Sequence, residues 1–260
     1  MTLSDSTRAF RLDGRVAVVT GASSGIGAAL TEGLAAAGAR VVMAARRIDR
    51  MEALAAKLVA AGAEVEALTC DVGDEASVEA LSRQVLERCG RVDVLVNNAG
   101  ISEVVAAEDE PIESFERVVQ VNLVGVFRCA QHFGRAMLAA GRGNVVNVAS
   151  ILGMVAAGQI PQASYSASKG GVVNLTRELA AQWARRGVRV NTLAPAWFPT
   201  EMTEEMFADE HARRWMRNRT PMGRAGEPQE LVGPLLFLAS DASSYVTGHT
   251  LLVDGGWTIV

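Results

Sequence analysis

Two hydrophobic rhythms alternate along this chain. Short runs rich in β-branched residues, Val16–Thr20, Val41–Ala44, Val65–Thr69, Val92–Asn97, Asn144–Ala149, Val188–Leu193 and Thr250–Val253, read as strands. Between them, Ile26–Ala37, Arg50–Ala61, Glu75–Cys89 and Tyr165–Arg186 place apolar residues at i, i+3 and i+4, the spacing of one helix face. Strand and helix in alternation require right-handed crossovers, and so predict an α/β, doubly wound fold: one seven-stranded parallel sheet with helices on both faces. Gly38, Gly62, Gly90 and Gly187 each follow a helical run where a left-handed cap residue is wanted, and Asp49 with Glu52 reads as a capping pair. No linker, repeat or low-complexity tract interrupts the pattern, so residues 1–260 read as a single domain. The stretch at about 195–226 has no strand character and is too long for an ordinary connection, which predicts a substrate lid.

Composition narrows the picture by exclusion. Of 260 residues, 49% are hydrophobic and 21% charged, enough for a large core and too little charge for disorder. A net charge of −4 with no Lys/Arg run argues against nucleic acid or an anionic membrane as partner and favours a small-molecule substrate. Cys70, Cys89 and Cys129 lie far apart with no metal-ligand spacing, so neither a disulfide frame nor a zinc site is expected. The opening stretch 1–15 lacks the apolar core of a secretory signal, and no window is apolar enough to span a membrane; a cytoplasmic location with reduced thiols is expected.

Chemistry concentrates at three places. After the first strand, Thr20-Gly21-Ala22-Ser23-Ser24-Gly25-Ile26-Gly27 runs into a helix. Glycines there let backbone approach a pyrophosphate, while the helix N-terminus offers free N–H groups. At the end of the second strand, an NAD-binding chain would carry a carboxylate for the ribose 2′-hydroxyl; this one reads Ala44-Ala45-Arg46-Arg47. Guanidiniums attract a 2′-phosphate with a fork of donors, which points to NADP(H). Asp71, after the third strand, is a candidate acceptor for the adenine amino group.

The third place is Tyr165-Ser166-Ala167-Ser168-Lys169 at the start of a helix, where residues four apart share a face. An ammonium roughly 5 Å from a phenol at an effective dielectric near 20 is worth about 3 kcal/mol, or roughly two pKa units. Tyr165 is thereby expected to move towards the working pH as a general acid and base. Ser150 ends the fifth strand at the carboxyl edge, where ligands of such sheets bind, and its hydroxyl could hold a substrate oxygen. Asn122 lies inside a long helical pattern, where a polar side chain must find partners if buried.

These residues resemble the short-chain dehydrogenase/reductase family over nearly the whole chain, Arg15 to Trp257: T-G-A-S-S-G-I-G at Thr20–Gly27, N-N-A-G at Asn97–Gly100, Asn122, Ser150, and Y-x-x-x-K at Tyr165–Lys169. The resemblance implies a Rossmann fold in which Tyr165 exchanges the proton, Ser150 orients the carbonyl, Lys169 holds the nicotinamide ribose, and Asn122 anchors a water relay. It also implies cofactor contacts from Gly21, Ser23, Ser24, Gly25, Ile26, Gly27, Arg46, Arg47, Asp71, Val72, Asn98, Ala99, Gly100, Pro195 and Thr200. The family's glycine after Pro195 is here Ala196, which puts the local backbone path in question. Ser102, Leu152, Trp197 and Phe198, with Met154, Gln159, Met202, Met206, Phe207 and Trp215, are expected around the substrate; their bulk suggests a largely apolar ligand.

The expected reaction is hydride transfer between NADP(H) and a carbonyl or secondary alcohol. An NAD-dependent polyol or sugar-acid dehydrogenase is the alternative. A 3-oxoacyl thioester reductase, using Arg135, Arg213, Arg214, Arg217 and Arg219 as a docking patch, is another. A non-enzymatic dinucleotide sensor would have no need of the Tyr, Lys and Ser set. By resemblance the chain is expected to form a homotetramer.

Overall fold

The computed structural model describes residues 6–260; the opening stretch 1–15, expected not to be a secretory signal, lies partly outside the described residues. Seven strands, β1 (Val16–Thr20), β2 (Arg40–Ala45), β3 (Val65–Thr69), β4 (Val94–Asn97), β5 (Gly143–Val148), β6 (Val188–Pro195) and β7 (Thr250–Val253), form one parallel sheet in the order β3-β2-β1-β4-β5-β6-β7. The order reverses between β1 and β4, and the crevice beyond the carboxyl ends at that point is where ligands of such sheets bind.

Helices α1 (Gly25–Ala36), α2 (Ile48–Ala60), α3 (Glu75–Cys89), α4 (Ile112–Val119), α5 (Gly125–Ala140), α6 (Ala163–Trp183), α7 (Glu204–Ala208), α8 (Glu210–Arg219) and α9 (Val232–Ala239) complete the described elements. Every residue of β1 is buried, because its alternate side chains enter two separate cores. Ala17 and Val19 pack with Leu30, Leu34, Met51 and Leu235 on one face; Val16 and Val18 pack with Leu81, Val85, Phe133 and Met137 on the other. Such two-sided burial is why the strands read as continuous apolar runs.

Gly38, Gly62, Gly90 and Gly187 adopt φ of 94°, 88°, 69° and 80°, the left-handed conformation expected of helix ends. The Asp49/Glu52 capping pair is corrected: α2 begins at Ile48, its N-cap is Arg47, and no side chain caps it. Ile48 packs against the core, and this draws the helix start forward, leaving Asp49 in the first turn. Ala196 is accommodated without strain. Its N–H donates to the Val253 carbonyl at 3.1 Å, extending the β6–β7 ladder, and among the described residues only glycines have positive φ.

No helix among the described residues is long and apolar enough to cross a membrane. The three cysteines are free thiols, and no cluster of metal-ligating side chains occurs among the described residues.

Candidate active site

The carboxyl ends of the central strands open into one cavity of about 820 Å³, within the size range of small-molecule and cofactor sites. Its first wall is the turn between β1 and α1. Gly21 there has φ of 67°, and a Cβ on Gly27 would stand 2.3 Å from the Gly21 carbonyl oxygen, so the turn closes only with hydrogen at both positions. From the neighbouring strand, the Asn98 side-chain amide donates to the carbonyls of Thr20 (3.0 Å) and Gly21 (3.2 Å). The Thr20 hydroxyl in turn accepts from the N–H groups of Asn98 and Ala99, each at 3.1 Å. Helix α1 starts from Ser24 with no side-chain cap, so its first N–H groups are left for a ligand rather than for a capping side chain. A loop of this shape fits a pyrophosphate.

The next wall carries Arg46, Arg47, Asp71, Val72 and Gly100. The Arg47 guanidinium donates to Ser23 Oγ (3.1 Å), Ser24 Oγ (2.8 Å) and Glu201 Oε2 (2.9 Å). Asp71 Oδ1 accepts from the Gly73 N–H at 2.8 Å, which fixes that loop. Sequence patterning did not point to Glu201: its partners lie 151 and 154 residues away, and no local rhythm encodes such a meeting.

At the inner end stand Ser150, Tyr165 and Lys169, all lining the same cavity. Ser150 is extended, and its Oγ accepts from the Leu152 N–H at 3.1 Å. Lys169 is buried, donates from Nζ to the Val148 carbonyl at 2.8 Å, and lies 5.5 Å from the centre of the Tyr165 ring. Burial pulls the ammonium down to about 8. Burial shifts Tyr165 the other way, upwards, with a hydrogen bond from Ser150 opposing the rise, so the phenol does not move towards neutral pH as its spacing from Lys169 alone predicts. The rise comes from desolvation, which penalises the phenolate.

Asn122 is fully buried one layer behind the cavity, in a segment, Gln120–Val124, where the α-helix widens into a π-helical turn. Such turns aim a side chain that a regular helix would not. Its Oδ1 accepts from the Ile101 N–H (2.8 Å), and its Nδ2 donates to the Ile101 carbonyl (2.9 Å) and Ser168 Oγ (3.1 Å). The amide thus ties the N-N-A-G loop to the helix that carries Tyr165 and Lys169. A second buried relay, Asn97 Nδ2 to Asn147 Oδ1 (2.9 Å) and Asn147 Nδ2 to Thr176 Oγ1 (2.9 Å), ties the same helix to the sheet.

Of the expected cofactor contacts, all of Gly21, Ser23, Ser24, Gly25, Ile26, Gly27, Arg46, Arg47, Asp71, Val72, Asn98, Ala99, Gly100, Pro195 and Thr200 line the cavity. Ser102 and Phe198 also line it. Leu152 and Trp197 do not: they are buried with Ile151, Met216 and Trp257 in a separate cluster. There Trp197, Trp215 and Trp257 meet edge to face at 5.8, 5.3 and 5.0 Å between centroids, and Met206 and Phe207 pack against them. Their bulk builds the support of the 195–226 segment rather than the cavity wall, so it says little about the ligand's polarity. The arginine patch is also partly spent. Arg213 and Arg217 pair with Glu210, and Arg219 stacks 5.0 Å from the Trp257 ring.

Comparison with known proteins agrees with this geometry. A family model described as enoyl-(acyl carrier protein) reductase matches residues 21–258. Galactitol 2-dehydrogenase (L-tagatose-forming) of Cereibacter sphaeroides is 44% identical over 98% of this chain and 99% of its own. Cis-4-hydroxycyclohexanecarboxylate dehydrogenase of Sinomonas cyclohexanicum is 46% identical over 95% of this chain and 97% of its own. The solved structure of a gluconate 5-dehydrogenase from Burkholderia cenocepacia, in complex with NADP and tartrate, superposes with a TM-score of 0.94 at 40% identity, covering 97% of this chain and 98% of that one.

Proposed function

The chain belongs to the short-chain dehydrogenase/reductase family, and from that premise we propose that it oxidises a secondary alcohol of a polyol or sugar acid, and reduces the corresponding ketone, with NADP(H). The observation that carries this reading is the convergence of Ser150, Tyr165 and Lys169 on the inner end of a cavity whose outer end holds the glycine turn and Arg46. NADP(H) would be held by the glycine turn, the first turn of α1 and Arg46, and it supplies or accepts the hydride.

The protein's own part is orientation and the proton. The Ser150 hydroxyl, hydrogen bonded with Tyr165, positions the substrate oxygen beside the phenol. Tyr165 takes the alcohol proton in oxidation and returns it in reduction. Lys169, anchored on the Val148 carbonyl, presents an ammonium towards the ring and stabilises the phenolate as it forms. Asn122 fixes the Ile101 and Ser168 groups around it. The 195–226 segment serves as the lid, its helices α7 and α8 packed on the tryptophan cluster.

The substrate class rests on relatives named for galactitol and gluconate. A carrier-protein thioester is less well supported, since Arg213 and Arg217 are already paired. The exposed apolar residues Phe127 on α5 and Ile259 and Val260 at the chain end suit the homotetramer that the family resemblance implies. The test is turnover by purified protein of galactitol, gluconate and a short polyol panel with NADP+ and NAD+, followed by nicotinamide absorbance. Oxidation of a polyol or sugar acid is expected; cofactor binding without turnover of any of them would overturn the enzyme reading.

A further inference from the structure

The floor of the cavity beside Arg46 is already an occupied anion site. Ser24 Oγ donates to Glu201 Oε2 at 3.1 Å, and the same carboxylate oxygen accepts from Arg47 at 2.9 Å. Arg50 grips the other oxygen, Oε1. One hydroxyl and two guanidiniums therefore surround one carboxylate, and the Arg47 guanidinium is steadied in turn on Ser23 Oγ at 3.1 Å. This donor set is the kind that recognises a phosphate monoester.

Glu201 is supplied from across the cavity. It follows Thr200, whose side chain faces Gly25 closely enough that a Cβ there would lie 3.1 Å away, and it opens the turn leading into the lid. One ion-paired group therefore joins the lid's first turn to the glycine turn. Both Arg47 and Glu201 remain 47% exposed in their side chains, so the pair can open to solvent and exchange partners.

We propose that Glu201 is a cofactor-specificity residue: its carboxylate stands in for the 2′-phosphate on Ser24 and Arg47, so that a cofactor lacking that phosphate finds the site already neutralised. This rests on the reading of Arg46 and Arg47 as the 2′-phosphate side of the cavity. A 2′-phosphate must displace Glu201 from Arg47 to use the full donor set. A 2′-hydroxyl leaves the ion pair, and with it the lid's anchor, intact. The consequence is a narrowed gap between NADP(H) and NAD(H), compared with a chain holding the same arginines without the internal carboxylate.

The test is calorimetric titration of NADP+ and NAD+ into the wild-type protein, Glu201→Gln and Arg46→Ala. Glu201→Gln keeps the side chain's size and removes the charge, and at a half-exposed position it should leave the fold intact. The ratio of NAD+ to NADP+ dissociation constants should rise about tenfold in Glu201→Gln, through tighter NADP+, weaker NAD+, or both. An unchanged or lower ratio would overturn the proposal. Arg46→Ala reads the underlying cofactor assignment separately: a ratio that does not fall in that variant removes the 2′-phosphate assignment of Arg46, whatever Glu201→Gln does. Adenosine 2′,5′-bisphosphate and adenosine 5′-monophosphate, titrated into the same proteins, should show the same ordering. If only the full cofactors showed it, the effect would lie in lid closure and not in competition for the phosphate, and the proposal would fail.

Discussion

The two ends of the cavity are built on different physical terms. At the inner end, Asn122, Ser150 and Lys169 are buried, and each is fixed by hydrogen bonds to backbone: Asn122 to Ile101, Ser150 to the Leu152 N–H, Lys169 to the Val148 carbonyl. At the outer end, Arg47, Arg50 and Glu201 meet as half-exposed ions joined to two serine hydroxyls. Buried hydrogen bonds are stronger than those in water and costly to leave unmade, so the inner side chains are held in one geometry, as the proposed proton transfer requires. Exposed ion pairs are weak and exchangeable, so the outer end can be retuned for one cofactor or another without disturbing the chemistry.

Mutations should separate the ends. Apart from loss of the Tyr165 hydroxyl itself, the largest effect is expected from Lys169→Met, which removes the ammonium facing Tyr165: turnover should fall by about 10³-fold, in the middle of the range for acid–base groups. A fall of less than about tenfold would show that the phenol does not depend on it. Asn122→Ala should lower unfolding free energy by about 1–3 kcal/mol in denaturant titration, because it leaves the part-buried Ile101 N–H and carbonyl without their side-chain partner. It should slow turnover as well; loss of stability with full activity would make Asn122 a purely structural group.

At the outer end, Arg46→Ala should weaken NADP+ by about tenfold while NAD+ changes little, the expected size of one charge-assisted contact to phosphate. Equal weakening of both would end the contrast between a fixed inner end and a tunable outer one. The smallest effect concerns pH. Lys169 titrates near 8 when folded, below its ordinary 10.5. Between those values the unfolded chain binds more protons, so this group makes the protein more stable as pH rises through that window and less stable below about 8. Denaturant titrations at a pH below and a pH within the window should show this rise in wild type and a smaller one in Lys169→Met. Identical slopes would mean that the ammonium is not desolvated.

The same contrast explains how much was legible from sequence. Sheet, crossovers and the glycine turn follow local rules, and the strand runs and the glycine caps at 38, 62, 90 and 187 all appear in the structure. The start of α2 was misplaced because burial of Ile48, a tertiary fact, decides it. The π-helical turn at Asn122 has no local signature: a wider turn and a regular one share the same apolar spacing. Trp197 and Leu152 look like pocket walls on bulk alone, but Trp215 and Trp257, brought in from later segments, enclose them. Glu201 was invisible for a similar reason, since a carboxylate near a loop start has no meaning until Arg47 and Arg50 are placed against it.

Tyr165→Phe tests the account's central claim most directly, with turnover and cofactor dissociation constant measured on the same preparation. The change removes one oxygen and leaves the ring, and with it the packing beside Lys169, in place. Turnover of the polyol or sugar-acid substrate should fall by at least about 10³-fold while the cofactor dissociation constant stays within about threefold. Retained turnover, or an equal loss of cofactor binding, would contradict the assignment of Tyr165 as the group that moves the proton.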